Sequence, residues 1–143
     1  MSPTPAAWSI RRGEQGYPPC LAELADPPDA LHGVGDREAV AGLDRDATVT
    51  IVGSRRASSY GLRMAEQLGR DLAFAGIAVV SGMANGIDAA AHRGALTADG
   101  TTIAVLGGGP DMVYPQAQRG LHRRIAAAGA VISEHPPGVR TEK

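Results

Sequence analysis

Cys20 is the only cysteine in the 143-residue chain, which leaves no partner for an internal disulfide and no Cys-based metal cage. Aromatic residues are almost as scarce, at one Trp, three Tyr and one Phe, so a site built mainly on base stacking is not expected. Neither sign of charge is in excess, since 14 basic residues meet 15 acidic ones, and a polyanion would have to be met by local clustering. No apolar run approaches the roughly 20 residues of a membrane-spanning helix, and the N-terminus shows no basic flank leading into an apolar core. The expected location is the cytoplasm, with no membrane contact.

Glycine and proline are plentiful, at 19 and 10 residues. They follow no G-X-Y period and alternate with dense Val/Ile/Leu/Ala stretches, which excludes collagen-like and disordered chains. Residues 1–46 are rich in Pro, Gly and charge, with short apolar bursts at Cys20-Leu21, Leu24 and Ala30-Leu31. They read as an N-terminal extension packed on the domain, with one short helix near Pro19–Ala25. Residues 47–138 read as a partial Rossmann-like domain, and 139–143 as a polar tail.

Within 47–138 the texture alternates. Thr48-Val49-Thr50-Ile51-Val52 reads as a strand closed by Gly53. Ser59 can cap a helix carrying Leu62, Ala65, Leu68, Leu72 and Ala75 at three- and four-residue steps, with Gly76 at its left-handed end. Ile77–Ser81 is a second strand, followed by a helix over Ile87–Thr97 in which Ala89, Ala90, Ala91, Gly94 and Ala95 permit close packing on the sheet. Thr102–Leu106 is a third strand, Gln116–Ala128 a third helix, and Ala130–Ser133 a fourth strand. Strands apolar on both faces and separated by helices imply α/β class, a doubly wound parallel sheet of about four strands covered on both sides. That count is low for such a fold, so the sheet reads as incomplete.

In these sheets the ligand crevice lies beyond the carboxyl ends of the strands. Three of those ends carry glycine-rich loops, where backbone N–H groups and the positive ends of helix dipoles can approach an anion. The candidate phosphate-binding set is Gly53, Ser54, Arg55, Arg56, Ser58 and Ser59 in the first loop, Gly82, Asn85 and Gly86 in the second, and Gly107, Gly108 and Gly109 in the third. Arg55 is the preferred guanidinium for phosphate; Arg56 competes with a simple solvated role, and Ser58 or Ser59 with simple capping.

Other chemistries fit less well. The first loop lacks G-x-G-x-x-G spacing and no acidic residue closes the second strand, against a nicotinamide dehydrogenase. Walker and nucleophile-elbow motifs are absent. Asp88 and His92, four apart on one helix, could be a metal or acid–base pair, but a local Asp–His hydrogen bond or a helix-start charge is the simpler reading without a third ligand. Glu134-His135 reads as polar residues at a strand end. Tyr114 either stacks on a base or belongs to the core, and Arg119, His122, Arg123 and Arg124 read as a solvated helix face. No catalytic residue, metal or cofactor is assigned.

The motifs then combine. Gly53-Ser54-Arg55 through Ser58-x-Tyr60-Gly61, Ser81-Gly82-Met83-Ala84-x-Gly86-Ile87-Asp88-x-Ala90-Ala91-His92, Leu106-Gly107-x-Gly109-x-Asp111-x-Val113-Tyr114-Pro115 and Ser133-Glu134-x-Pro136-Pro137-Gly138, with Tyr17-Pro18-Pro19-x-Leu21 upstream, resemble the bacterial DNA-processing protein A family (DprA, also called Smf). The resemblance spans about residues 17–138. It implies a Rossmann-like protein that binds single-stranded DNA, protects it and loads RecA onto it during natural transformation, without enzymatic turnover. It further implies that Ser54 and Arg55 lie in the DNA pocket with the Gly82 and Gly107 loops beside them. Family members continue past the Pro-Pro-Gly turn into a basic Arg-Asn-Arg loop and further strands. RecA is therefore a partner by resemblance, and the family's homodimer draws on a half beyond this sequence. Asn85 stands where members often have a larger or basic residue. The alternatives are a nucleotide-handling enzyme of the phosphoribohydrolase type, for which Gly107-Gly108-Gly109-Pro110-Asp111 supplies glycines but no glutamate at the catalytic spacing, and a nucleotide-sensing module without catalysis.

Overall fold

A computed structural model describes residues 5–113 and 115–141; Tyr114 and the base-stacking role weighed for it lie outside them. Six strands form one sheet in the order β1-β2-β6-β5-β4-β3. They are β1 (Trp8–Arg11), β2 (Ala30–Gly35), β3 (Thr48–Thr50), β4 (Ala78–Ser81), β5 (Thr102–Leu106) and β6 (Ala130–Ser133). The helices are α1 (Pro19–Ala22), α2 (Arg37–Ala41), α3 (Ser59–Phe74), α4 (Ile87–Thr97) and α5 (Arg119–Ala128). Strands β3 to β6 are parallel and β1 and β2 antiparallel. No described helix is long and apolar enough to cross a membrane.

The parallel core follows the sequence pattern closely, but the N-terminal segment does more than expected. Besides packing on the domain, it adds two strands, with Gly33 opposite Ile132 and Val34 opposite Val131 on β6. The alternation that would have shown this is hidden by Gly33 and Gly35, which carry no side chain to mark a face. Both are needed: a Cβ on Gly33 would run into the Trp8 ring, and Gly35 has a φ of +100° against the Ala126 and Gly129 carbonyls. Trp8 Nε1–H then donates to the Gly35 carbonyl at 3.0 Å.

The sheet is covered on both faces, as expected, but the three long helices share one of them. Successive parallel strands step in one direction from β3 to β6, so right-handed crossovers carry α3, α4 and α5 to the same face. There Val79 packs with Ala73, Ala91 and Ala95, and Ala104 and Val131 pack with Ala89, Leu121 and Ile125. The opposite face, with Ile103, Ala130 and Ile132, is covered by Tyr17, Leu21, Val40 and Leu43 from the N-terminal segment. That cover stops short of the β3 edge, where Thr50 is exposed, and Val105 on β5 is 46% exposed.

Helices α3 and α4 meet through reciprocal glycines. A Cβ on Gly94 would collide with the Glu66 carbonyl, and one on Gly69 with the Ala91 carbonyl, so the small residues of α4 serve the helix pair as well as the sheet. At the ends of α3, Gly76 has the left-handed φ of +84°, while the cap is Ser58, whose Oγ accepts from Gly61 N–H at 3.0 Å. Ser59 is instead the first helical residue. The stretch before α5 is a short 3-10 turn at Gln116–Gln118 rather than α-helix.

Candidate nucleic-acid interface

The carboxyl ends of β4 and β5 open into a cleft of about 270 Å³, lined by Arg55, Gly82, Ala84, Asn85, Leu106, Gly107, Met112, Pro115 and Thr141. Arg55, Gly82, Asn85 and Gly107 are the members of the sequence-assigned set that line it. Thr141 from the segment read as a polar tail also reaches it, and Val139 accepts from Gly109 N–H at 2.8 Å.

Ser54, Gly86, Gly108 and Gly109 support the walls. Gly86 (φ +91°) presses against the Ser54 and Arg55 carbonyls, and Ile87 N–H donates to the Ser54 carbonyl at 3.1 Å. The first loop is thereby locked to the start of α4. Ser54 Oγ accepts from Arg56 N–H at 3.1 Å. Gly108 packs against Val139 and Thr141, and Gly109 against Pro136 and Gly138. Arg56, Ser58 and Ser59 are exposed and do not line the cleft.

Asp88 has a role that sequence reasoning missed. Its buried carboxylate accepts from Gly53 N–H (3.2 Å, Oδ1) and Gly82 N–H (3.1 Å, Oδ2). The amides expected to meet phosphate at these two positions are therefore engaged by the protein's own anion, at the N-terminal turn where the helix dipole favours it. An acidic residue second in a helix that follows a glycine loop was the available signal.

Of the two simple readings of Asp88, the helix-start charge fits and the local pair does not: Asp88 makes no hydrogen bond to His92. His92 is fully buried and its Nδ1–H donates to Thr102 Oγ1 (2.7 Å), because that hydroxyl gives its own proton to the Val79 carbonyl (2.8 Å). Its Nε2 has no hydrogen-bond partner among the described residues. Burial lowers the imidazole pKa to about 4, although the Asp88 charge opposes the shift.

Met83 turns the second loop. Its φ of +62° is rare outside glycine, and its side chain is buried with Ala104 and Leu121, leaving Gly82 and Asn85 to the cleft. The third loop is tied to α5 by His122, which is buried and donates from Nε2–H to the Pro110 carbonyl at 2.7 Å. His122 thus leaves the solvated face predicted for it, while Arg119, Arg123 and Arg124 remain exposed. Gln118, also missed, is buried and donates from Nε2 to Asn85 Oδ1 at 3.1 Å.

A second, more apolar groove of about 410 Å³ runs beside α3 between Ile51, Val52, Met64, Leu68 and Ile87. It lacks the convergence of donors that marks the cleft.

Comparison with known proteins matches this arrangement. The family described as DNA recombination-mediator protein A matches residues 8–143. Protein Smf of Synechocystis sp. is 39% identical over 127 residues, covering 89% of this chain and 32% of its own length. The X-ray structure of DprA from Streptococcus pneumoniae superposes with a TM-score of 0.82 at 34% identity, over 94% of this chain and 46% of that one. DprA from Helicobacter pylori, solved for its single-stranded DNA binding mode, gives a TM-score of 0.80 at 29% identity, over 96% of this chain and 59% of that one. The chain thus spans about a third of the Smf relative and about half of each solved protein. With a Rossmann-like α/β fold in common with the solved proteins, the chain belongs to the DNA recombination-mediator protein A family.

Proposed function

We propose that this chain is a single-stranded DNA-binding module of DNA uptake and recombination, acting in the cytoplasm by binding and without catalytic turnover. The observation that carries this reading is the cleft beyond β4 and β5, where Arg55 and Asn85 line one wall system with glycine from two loops. Arg55 supplies the charge-assisted contact to phosphate. Arg56, exposed and away from the cleft, contributes only to the general field. The Helicobacter pylori relative, solved for its single-stranded DNA binding mode, supports the same ligand class. Handover to RecA and pairing of two copies, both implied by the family resemblance, extend this reading to the longer protein.

Fluorescence anisotropy with oligo-dT and with duplex DNA across a salt series tests it. The expected result is preference for the single strand with a shallow dependence of log affinity on log salt, roughly 0.7 per phosphate engaged. Equal binding of duplex, or insensitivity to salt, would count against it. Base release on incubation with AMP would favour the phosphoribohydrolase-type alternative instead.

A further inference from the structure

Asn85 lines the cleft and carries a side-chain amide whose two ends are chemical opposites, a carbonyl that accepts and an NH₂ that donates. Which end points inward decides what the cleft can hold, and the residues behind it settle that choice. Arg93 on α4 donates from Nη2 to Gln118 Oε1 at 3.4 Å, and Gln118 Nε2 donates to Asn85 Oδ1 at 3.1 Å. A guanidinium has donors and no acceptor, so the end of Gln118 that meets Arg93 is its carbonyl. Its NH₂ is thereby turned to Asn85 and holds the Asn85 carbonyl toward Gln118. What remains for the cleft is the Asn85 NH₂. Gln118 is 4% exposed, which keeps water from reversing the chain of bonds.

We propose that the Arg93–Gln118 pair fixes Asn85 as a hydrogen-bond donor, so that this wall of the cleft takes acceptor oxygens of a single strand, from phosphates or from base carbonyls, and refuses donor-bearing edges. Gln118 is a positioning residue, since it acts through Asn85. The inference rests on the single-strand reading and adds the polarity of the group recognised. It also explains why a buried glutamine sits in a short 3-10 turn between a loop and α5, where an apolar residue would pack at less cost.

The test is a double-mutant cycle read by oligo-dT anisotropy. Gln118→Met keeps the length of the side chain and the net charge but removes both bonds, leaving Asn85 free to turn. Affinity should fall roughly 3- to 10-fold, the scale of one hydrogen bond. In an Asn85→Lys background, whose ammonium donates in any orientation, the same change should cost less than about 2-fold. A residue that only supported the fold would cost the same in both backgrounds, and that result, or no loss in either, overturns the proposal. Arg93→Met, made on the exposed side of the relay, repeats the cycle if Gln118→Met does not fold, and the same pattern is expected. An abasic strand separates the two sources: a loss retained there assigns the donor to phosphate oxygens, and a loss confined to base-bearing strands assigns it to base carbonyls. Failure of the unmodified chain to bind any single strand would sink the underlying reading instead.

Discussion

The loop after β3 and the loop after β4 are both glycine-rich, yet they are used in opposite ways. From Gly53 to Arg56 the chain is exposed, whereas the loop after β4 leads directly into a helix whose Asp88, Ala89, Ala90, Ala91, His92, Gly94 and Ala95 are all buried. The difference follows from position in the sheet. Strand β3 is at the edge, so its loop has solvent on one side and can present an arginine. Strand β4 is interior, and its loop and helix are enclosed by β5 and α3, so polar groups there must satisfy each other. The second loop is a brace and the first an arm.

The brace should break most severely at Gly94. Gly94→Val drives side-chain atoms into the Glu66 carbonyl and Arg70 N–H and should destabilise the fold by about 3 kcal/mol or more, as read by urea titration of the circular dichroism signal. Survival of a native melting curve would show that the two helices can separate.

His92 makes the brace sensitive to acid. Its pKa is about 4 when folded and near the ordinary 6.5 when unfolded, so between these values the unfolded chain binds the extra proton and stability rises with pH. The contribution is complete above pH 6.5 and is lost as pH falls to about 4, amounting to roughly 3 kcal/mol. Carboxylates titrate in part of the same range, so the informative quantity is the difference between the unmodified chain and His92→Gln, whose stability should fall less steeply. Parallel curves would show that the imidazole does not sense the buried site.

Asp88→Ala leaves the Gly53 and Gly82 amides without their carboxylate and should cost roughly 2–3 kcal/mol of stability. It should also loosen both loops, seen as faster hydrogen exchange at those two amides. The arm behaves differently. Arg55→Ala should weaken single-strand binding by roughly 1–3 kcal/mol with no comparable change in stability, because the residue is exposed. The smallest effect is expected from Arg56→Ala, within about 0.5 kcal/mol of the parent in stability and with much less loss of binding than Arg55→Ala. Equal binding by the two arginine variants would erase the distinction between cleft and surface on which the arm rests.

Much of this architecture is legible in the chain. The helix read over Ile87–Thr97 and the strands read over Thr102–Leu106 and Ala130–Ser133 coincide with α4, β5 and β6, because long apolar runs and glycine stops are local signals. The strands at Trp8–Arg11 and Ala30–Gly35 were not legible, since the first has only four residues, the second carries two glycines, and both are stabilised by each other and by β6 rather than by their own propensity. In the cleft, Arg55 and the three glycine loops could be found from strand ends alone. Gln118 could not, as its partner Asn85 is 33 residues away.

By itself, then, the sequence determined the order of strands and helices from Thr48 to Ser133, the end of the sheet at which the cleft opens, and the residue types available there, all set by local pattern and by the handedness of crossovers. Only the tertiary structure decided how those polar groups are spent. Gly53 and Gly82 give their amides to Asp88, and His92 gives its proton to Thr102. Asn85 is turned by Gln118. Each choice is made by enclosure, because a buried donor must find an acceptor among whatever neighbours the fold brings near, and those neighbours come from other strands and helices.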